Sequence, residues 1–158
     1  MIKELNIALI GCGNWGKNIA RDLHQMGFLA CVYDSNFKLS EKLSYDYKLP
    51  TLKLHEIFED QHINAIVIAS PAITHKDLAI EALENNKDVF IEKPFCLSLP
   101  DAQKLSELAT NKNRILMVGH LLNYHNAFIE MKELIKNGKI GVTQNIRANR
   151  QALGAIRS

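Results

Sequence analysis

Short runs of apolar residues alternate along the chain with stretches in which apolar residues recur every three or four positions. The runs LNIALI (5–10), LACVY (29–33), INAIVIA (63–69), DVFIE (88–92) and RILMVGHL (114–121) read as strands. INAIVIA is apolar on both faces, which suits the centre of a parallel sheet. Between these runs, helices are expected over 14–26, with Ile19, Ala20, Leu23 and Met26 on one face, and over 36–46. Further helices are expected over 74–85, with Leu78, Ala79, Ala82 and Leu83 at helical spacing, and over 124–136. Another opens at Ser98 or at Pro100-Asp101 and runs to about 111. Gly27 and Asn137-Gly138 close the helices that precede them. A short third strand is expected at 49–51 and a brief helix near 53–58.

Strand–helix alternation of this kind implies right-handed crossovers and an α/β fold, a doubly wound parallel sheet. The sheet domain is expected over 1–122 and a connecting helix over 123–140. The last segment, GVTQNIRANRQALGAIRS (141–158), breaks the rhythm. It begins as a strand, with Val142, Gln144, Ile146 and Ala148 on one side, and no helix follows.

With 158 residues, 47% of them hydrophobic, the chain can build a real core. Nineteen basic and 17 acidic residues leave a net charge of +2, too balanced to argue for nucleic acid or a membrane surface. No run approaches the ~18 apolar residues of a membrane span. Three cysteines without a CxxC pair read as reduced thiols, and no signal peptide is evident, so the expected compartment is the cytoplasm. No His/Cys/Asp spacing suggests a metal.

The first strand runs straight into GCGNWG, that is Gly11-x-Gly13-x-x-Gly16. A GxGxxG alone is weak, but after a strand and at the start of a helix it reads as a dinucleotide-binding loop. Gly11 allows the tight turn, Gly13 the approach of a pyrophosphate, and Gly16 close helix–strand packing. The helix start offers N–H groups and a dipole to the phosphates. The second strand ends at Asp34, near the ~20-residue offset expected for the acid that holds the adenosine ribose. A carboxylate there repels a 2′-phosphate, and no arginine follows in SNFK, which favours NAD over NADP.

DVFIEKPF (88–95) places Glu92, Lys93 and Pro94 at the mouth of an apolar strand. Alone, these favour a solvated strand end. Together with GCGNWGKN, "ASPAITHKDLAIEALENNKDVFIEKP" and "VGHLLNYHNAF", they resemble the glucose–fructose oxidoreductase and inositol dehydrogenase family, Gfo/Idh/MocA. The GxWGKN loop, HLLxYH and the tail "IRANRQALGAIR" look most like UDP-N-acetylglucosamine-type 3-dehydrogenases of polysaccharide synthesis.

The resemblance implies that the sheet is a Rossmann domain. It also implies that Lys93 is the catalytic base beside the nicotinamide, taking the proton of a sugar hydroxyl as hydride leaves the carbon. Pro94 pushes Lys93 toward extended backbone, and in the family this bond is commonly cis. The implied cofactor set is Gly11, Cys12, Gly13, Asn14, Trp15, Gly16, Asp34, Ser35, Ser70, Pro71, His75, Glu92, Lys93 and Pro94. Glu92 either orients or tunes the lysine or is a solvated acid. His75 reads as a helix-start residue packing below the Ser70-Pro71 loop rather than as a ligand. His120, Asn123, Tyr124, His125 and Arg150 are the implied substrate contacts beside Lys93; for Tyr124 and His125, packing at a helix start is the equal alternative.

Family members are considerably longer, with a second, mostly antiparallel domain that supplies a catalytic-site histidine, most sugar contacts and the oligomer interface. Only the first strand of that domain is expected here. Two readings follow: an NAD-dependent dehydrogenase of a nucleotide-sugar hydroxyl, or an NAD-binding module that turns nothing over alone. A homodimer through the tail strand is also expected.

Overall fold

A computed structural model describes residues 5–149. In chain order its elements are β1 (Ile7–Ile10), α1 (Gly16–Gln25), β2 (Leu29–Tyr33), α2 (Phe37–Tyr47), α3 (Leu54–Glu59) and β3 (Ala65–Ile68). They continue with α4 (His75–Glu84), entered through a 3-10 turn at Ala72–Thr74, then β4 (Asp88–Ile91), α5 (Leu99–Asn111) and β5 (Leu116–Val118). A second 3-10 turn at Leu121–Tyr124 precedes α6 (Asn126–Lys136). Residues up to Gly119 form one compact unit and residues from His120 a second.

The five strands are all parallel, in the order β2-β1-β3-β4-β5. The expected third strand at 49–51 shrinks to a single parallel bridge between Val32 and Thr51 on the outer side of β2. Pro50 accepts from the Val32 N–H but has no N–H to return, so the pairing does not extend. Counting that bridge as a strand, the order is that of a Rossmann sheet, and its direction reverses between β1 and β3.

Alternate residues along each strand feed two cores. Ala8, Ile10, Ile66, Ile68, Val89 and Ile91 pack on one face with residues of α3, α4 and α5. Ile7, Leu9, Val32 and Val67 pack on the other with Ala20 of α1 and Leu43 of α2. Ile66 and Ile68 are fully buried; truncating either to alanine would cost about 2–5 kcal/mol. The predicted helix ends are realised. Asn36 caps α2 by accepting from the Lys38 N–H, and Ser98 caps α5 by accepting from the Asp101 N–H. Gly27, at φ 76°, follows the end of α1.

One expectation fails. Residues 141–149 carry no strand, despite their alternation. Period-two alternation makes one face apolar, but a strand also needs a neighbour for its N–H and C=O groups, and no described strand pairs with this one. The rest of the expected tail lies outside the described residues. In the second unit every described residue is exposed, including Phe128, Ile129, Met131, Leu134 and Ile135 of α6.

Candidate functional site

The carboxyl ends of β1, β2, β3 and β4 bring the predicted residues to one edge of the sheet. Gly11 leaves β1 at φ 100° and lies against the neighbouring loop: a Cβ there would sit 2.5 Å from the Ala69 carbonyl carbon and the Ser70 nitrogen. At Gly16 a Cβ would fall 1.9 Å from the Gly11 carbonyl oxygen, so only glycine lets α1 start this close to the strand. Gly13 differs, because a Cβ there would meet nothing within 4 Å. Its freedom is not needed by the fold. It leaves open space where the loop faces outward.

Among the described residues, no protein acceptor takes the main-chain N–H of Gly13, Asn14, Trp15 or Gly16. Four free donors at the start of a ten-residue helix form an anion cradle. Cys12 is turned the other way. Its N–H donates to Asp34 Oδ2 at 2.7 Å, and its thiol, buried, lies 3.5 Å from the Tyr33 carbonyl. Burial, reinforced by the Asp34 charge, pushes the Cys12 thiol up to about 12.

Asp34 Oδ1 accepts from the Asn36 N–H at 2.8 Å. The carboxylate is thus fixed at the mouth of a cavity of about 200 Å³, with lone pairs to spare for hydroxyl donors. The walls are Ile10, Gly11, Tyr33, Asp34, Ser35, Leu54, Ser70, Pro71, Thr74 and Leu78. Apolar walls with one carboxylate suit an adenosine group. Leu54, Thr74 and Leu78 were not anticipated; they reach the cavity from α3 and from the entrance to α4.

His75 is 1% exposed and lies beneath the loop, as expected. Its Nδ1 is 2.8 Å from the Pro94 carbonyl oxygen and its Nε2 2.9 Å from that of Ser70. The ring therefore ties the loop after β3 to the one after β4. Ser70 and Thr74 hydroxyls lie 2.7 Å apart, and Thr74 also donates to the Pro71 carbonyl, stiffening the same turn.

Glu92 is not a solvated acid, since it is 7% exposed. Its Oε1 accepts from the Trp15 indole N–H at 2.6 Å and its Oε2 from the Lys93 main-chain N–H at 3.2 Å. Lys93 itself is exposed, and the Lys93–Pro94 peptide is cis. The glycine loop and the lysine thus meet through one buried carboxylate, a contact that sequence reasoning missed.

The structure gathers Gly11 to Gly16, Asp34, Ser35, Ser70, Pro71, His75 and Glu92 to Pro94 within the first unit. The second unit holds His120, Asn123, Tyr124 and His125. There Asn123 accepts from Lys132 Nζ at 2.8 Å, Tyr124 is exposed, and His125 precedes α6 with its ring edge-on to Phe128. Arg150 lies outside the described residues.

An oxidoreductase family with an NAD-binding Rossmann fold matches residues 5–120. The scyllo-inositol 2-dehydrogenase (NAD(+)) of Bacillus subtilis (strain 168) is 31% identical over 146 residues, 89% of this chain and 43% of its own length. The 2,7-anhydro-N-acetylneuraminate hydratase of Escherichia coli (strain K12) is 29% identical over 140 residues, covering 87% of this chain and 37% of its own. A crystal structure of GenD2 from gentamicin A biosynthesis, in complex with NAD, superposes with a TM-score of 0.81 at 25% identity, covering 88% of this chain and 41% of that one. The chain thus spans about two fifths of the length of these relatives. With its free loop donors, its open space at Gly13 and its Asp34 cavity, the site fits the cofactor of that family. The chain belongs to the Gfo/Idh/MocA oxidoreductases and carries their NAD-binding Rossmann domain.

Proposed function

We propose that the whole protein oxidises a secondary hydroxyl of a sugar or polyol, with Lys93 as the base. The observation that carries this reading is the position of Lys93. It follows the buried Glu92 at the carboxyl end of β4, on the sheet edge that holds the dinucleotide loop and Asp34. Ligands of such sheets bind beyond that edge.

The loop N–H groups from Gly13 to Gly16 would hold the pyrophosphate, and Asp34 the adenosine ribose. NAD supplies the hydride acceptor. Lys93 in its neutral form takes the hydroxyl proton, so the electrons of the O–H bond close the carbonyl as the carbon gives up hydride. The Glu92 carboxylate and the His75 ring fix the main chain on either side of Lys93, through its N–H and the Pro94 carbonyl. His120, Asn123, Tyr124, His125 and Arg150 are assigned to the substrate side.

The finer reading is a nucleotide-sugar substrate, a UDP-sugar oxidised at C3 in polysaccharide synthesis. The GxWGKN loop and HLLxYH segment favour it. The B. subtilis relative, named for inositol, favours a free polyol instead. The second reading is an NAD-binding module without turnover of its own, supported by the two-fifths coverage of the relatives. A cytoplasmic location fits the three free cysteines among the described residues and the lack of a described helix able to cross a membrane. A homodimer remains a proposal, although the tail strand expected to carry it is not formed by residues 141–149.

NADH formation with UDP-N-acetylglucosamine and with inositols tests these readings. Activity that Lys93→Ala abolishes, with NAD affinity kept within about threefold, supports the base. Retention of most of the rate refutes it.

A further inference from the structure

We propose that Glu92 sets the balance between the two redox states of the cofactor, favouring the positively charged nicotinamide of NAD+ over the neutral ring of NADH. This rests on the reading that places the nicotinamide beside Lys93.

The Glu92 side chain leaves the end of β4 and reaches the loop after β1, where the Trp15 indole donates to it. On its other side lies the chain leaving β5, where a Cβ on Gly119 would come within 2.9 Å of Oε1. The carboxylate is therefore held over the carboxyl edge of the sheet, between the loop after β1 and the chain leaving β5. Both of its oxygens accept from N–H donors. Both donors are neutral.

Ion pairs among the described residues join Arg21 to Asp22, Lys76 to Asp77 and Asp101, and Lys112 to Glu84; none includes Glu92. A carboxylate buried without a cation has lost most of its hydration, and two neutral donors restore only part of it. A cation that binds nearby restores more. NAD+ and NADH differ only at the nicotinamide ring, which gains a hydride and loses its positive charge on reduction, so the carboxylate acts on the difference between their affinities.

The test is calorimetric titration of the chain with NAD+ and with NADH, for the wild type and for Glu92→Gln, which keeps the shape and removes the charge. The ratio Kd(NADH)/Kd(NAD+) is expected to fall about tenfold in Glu92→Gln. A ratio within about twofold of wild type, with both affinities moving together, overturns the proposal and leaves Glu92 a purely positional residue.

If Glu92→Gln does not fold, Trp15→Phe decides. Trp15 is 45% exposed, so this change spares the core, and it strips the carboxylate of one donor while keeping its charge. The ratio then rises if the proposal holds; an unchanged or lowered ratio overturns it. Wild-type chain that binds neither form would overturn the cofactor reading itself, and the proposal with it.

Discussion

The main-chain N–H of Cys12 donates to Asp34 Oδ2 at 2.7 Å, across a separation of 22 residues. This bond joins the first glycine turn to the end of β2, so the glycine loop and the Asp34 carboxylate are tied together. It also explains why Cys12 can stand between two glycines: its side chain points into the protein and its N–H points at the acid.

The two glycines facing opposite ways should separate fold from binding. Gly16→Ala puts a Cβ 1.9 Å from the Gly11 carbonyl oxygen, so α1 must move off the strand. We expect a loss of about 1–3 kcal/mol in urea unfolding. Gly13→Ala meets no protein atom within 4 Å. It should leave the unfolding midpoint nearly unchanged and weaken NAD binding at least about tenfold, because the methyl occupies the space of the approaching phosphate.

Cysteine reactivity should follow burial. Cys12 and Cys31 are buried and their thiols are pushed up to about 12, by burial first and then by Asp34 and Asp60 respectively. Cys96 is only partly buried, and its thiol is also raised, first by burial and then by Asp101, with Lys76 opposing. At mildly alkaline pH iodoacetamide should therefore label Cys96 first, and Cys12 and Cys31 only on unfolding. Mass-spectrometric mapping of early adducts on Cys12 or Cys31 would contradict this.

Lys87 lies in the loop before β4, away from the lysine of the site. It is 2% exposed and donates to the Asp60 and Ile63 carbonyls. Burial lowers its pKa below the usual 10.5, with Asp60 opposing. The unfolded chain therefore holds the proton more tightly than the folded one, and this group's contribution to stability rises with pH in the window just below 10.5. Lys87→Met should cost about 1–3 kcal/mol at neutral pH, because two carbonyls lose their donor. The gap between wild type and variant should widen as pH rises through that window. Denaturant titrations at several pH values measure it, and a gap that narrows would contradict the assignment.

The local parts of this site were legible in the sequence. Gly11-x-Gly13-x-x-Gly16 and Asp34 are read from spacing, because a turn and a ribose acid each need one residue type at one place. The strand ending in Glu92, Lys93 and Pro94 is legible from its apolar run, but a role for Lys93 comes only from the family resemblance, because alone the three residues read as a solvated strand end. What was missed depends on long-range contact. Trp15 meets Glu92 across 77 residues, and no pattern in either segment announces the other. Leu54 and Leu78 read as ordinary helix residues, yet both wall the cavity beside Asp34. The tail was misread because alternation shows which face of a strand would be apolar but not whether a partner strand is there to receive its hydrogen bonds.

The most direct test of the account is a titration of this chain with NAD+ and with NADP+, followed by calorimetry or by the fluorescence of Trp15, its single tryptophan. NAD+ is expected to bind at least about tenfold more tightly, because the Asp34 carboxylate repels a 2′-phosphate, and Asp34→Ala to narrow the gap. NADP+ bound as tightly as NAD+ by the wild-type chain, or no binding of either, would contradict it.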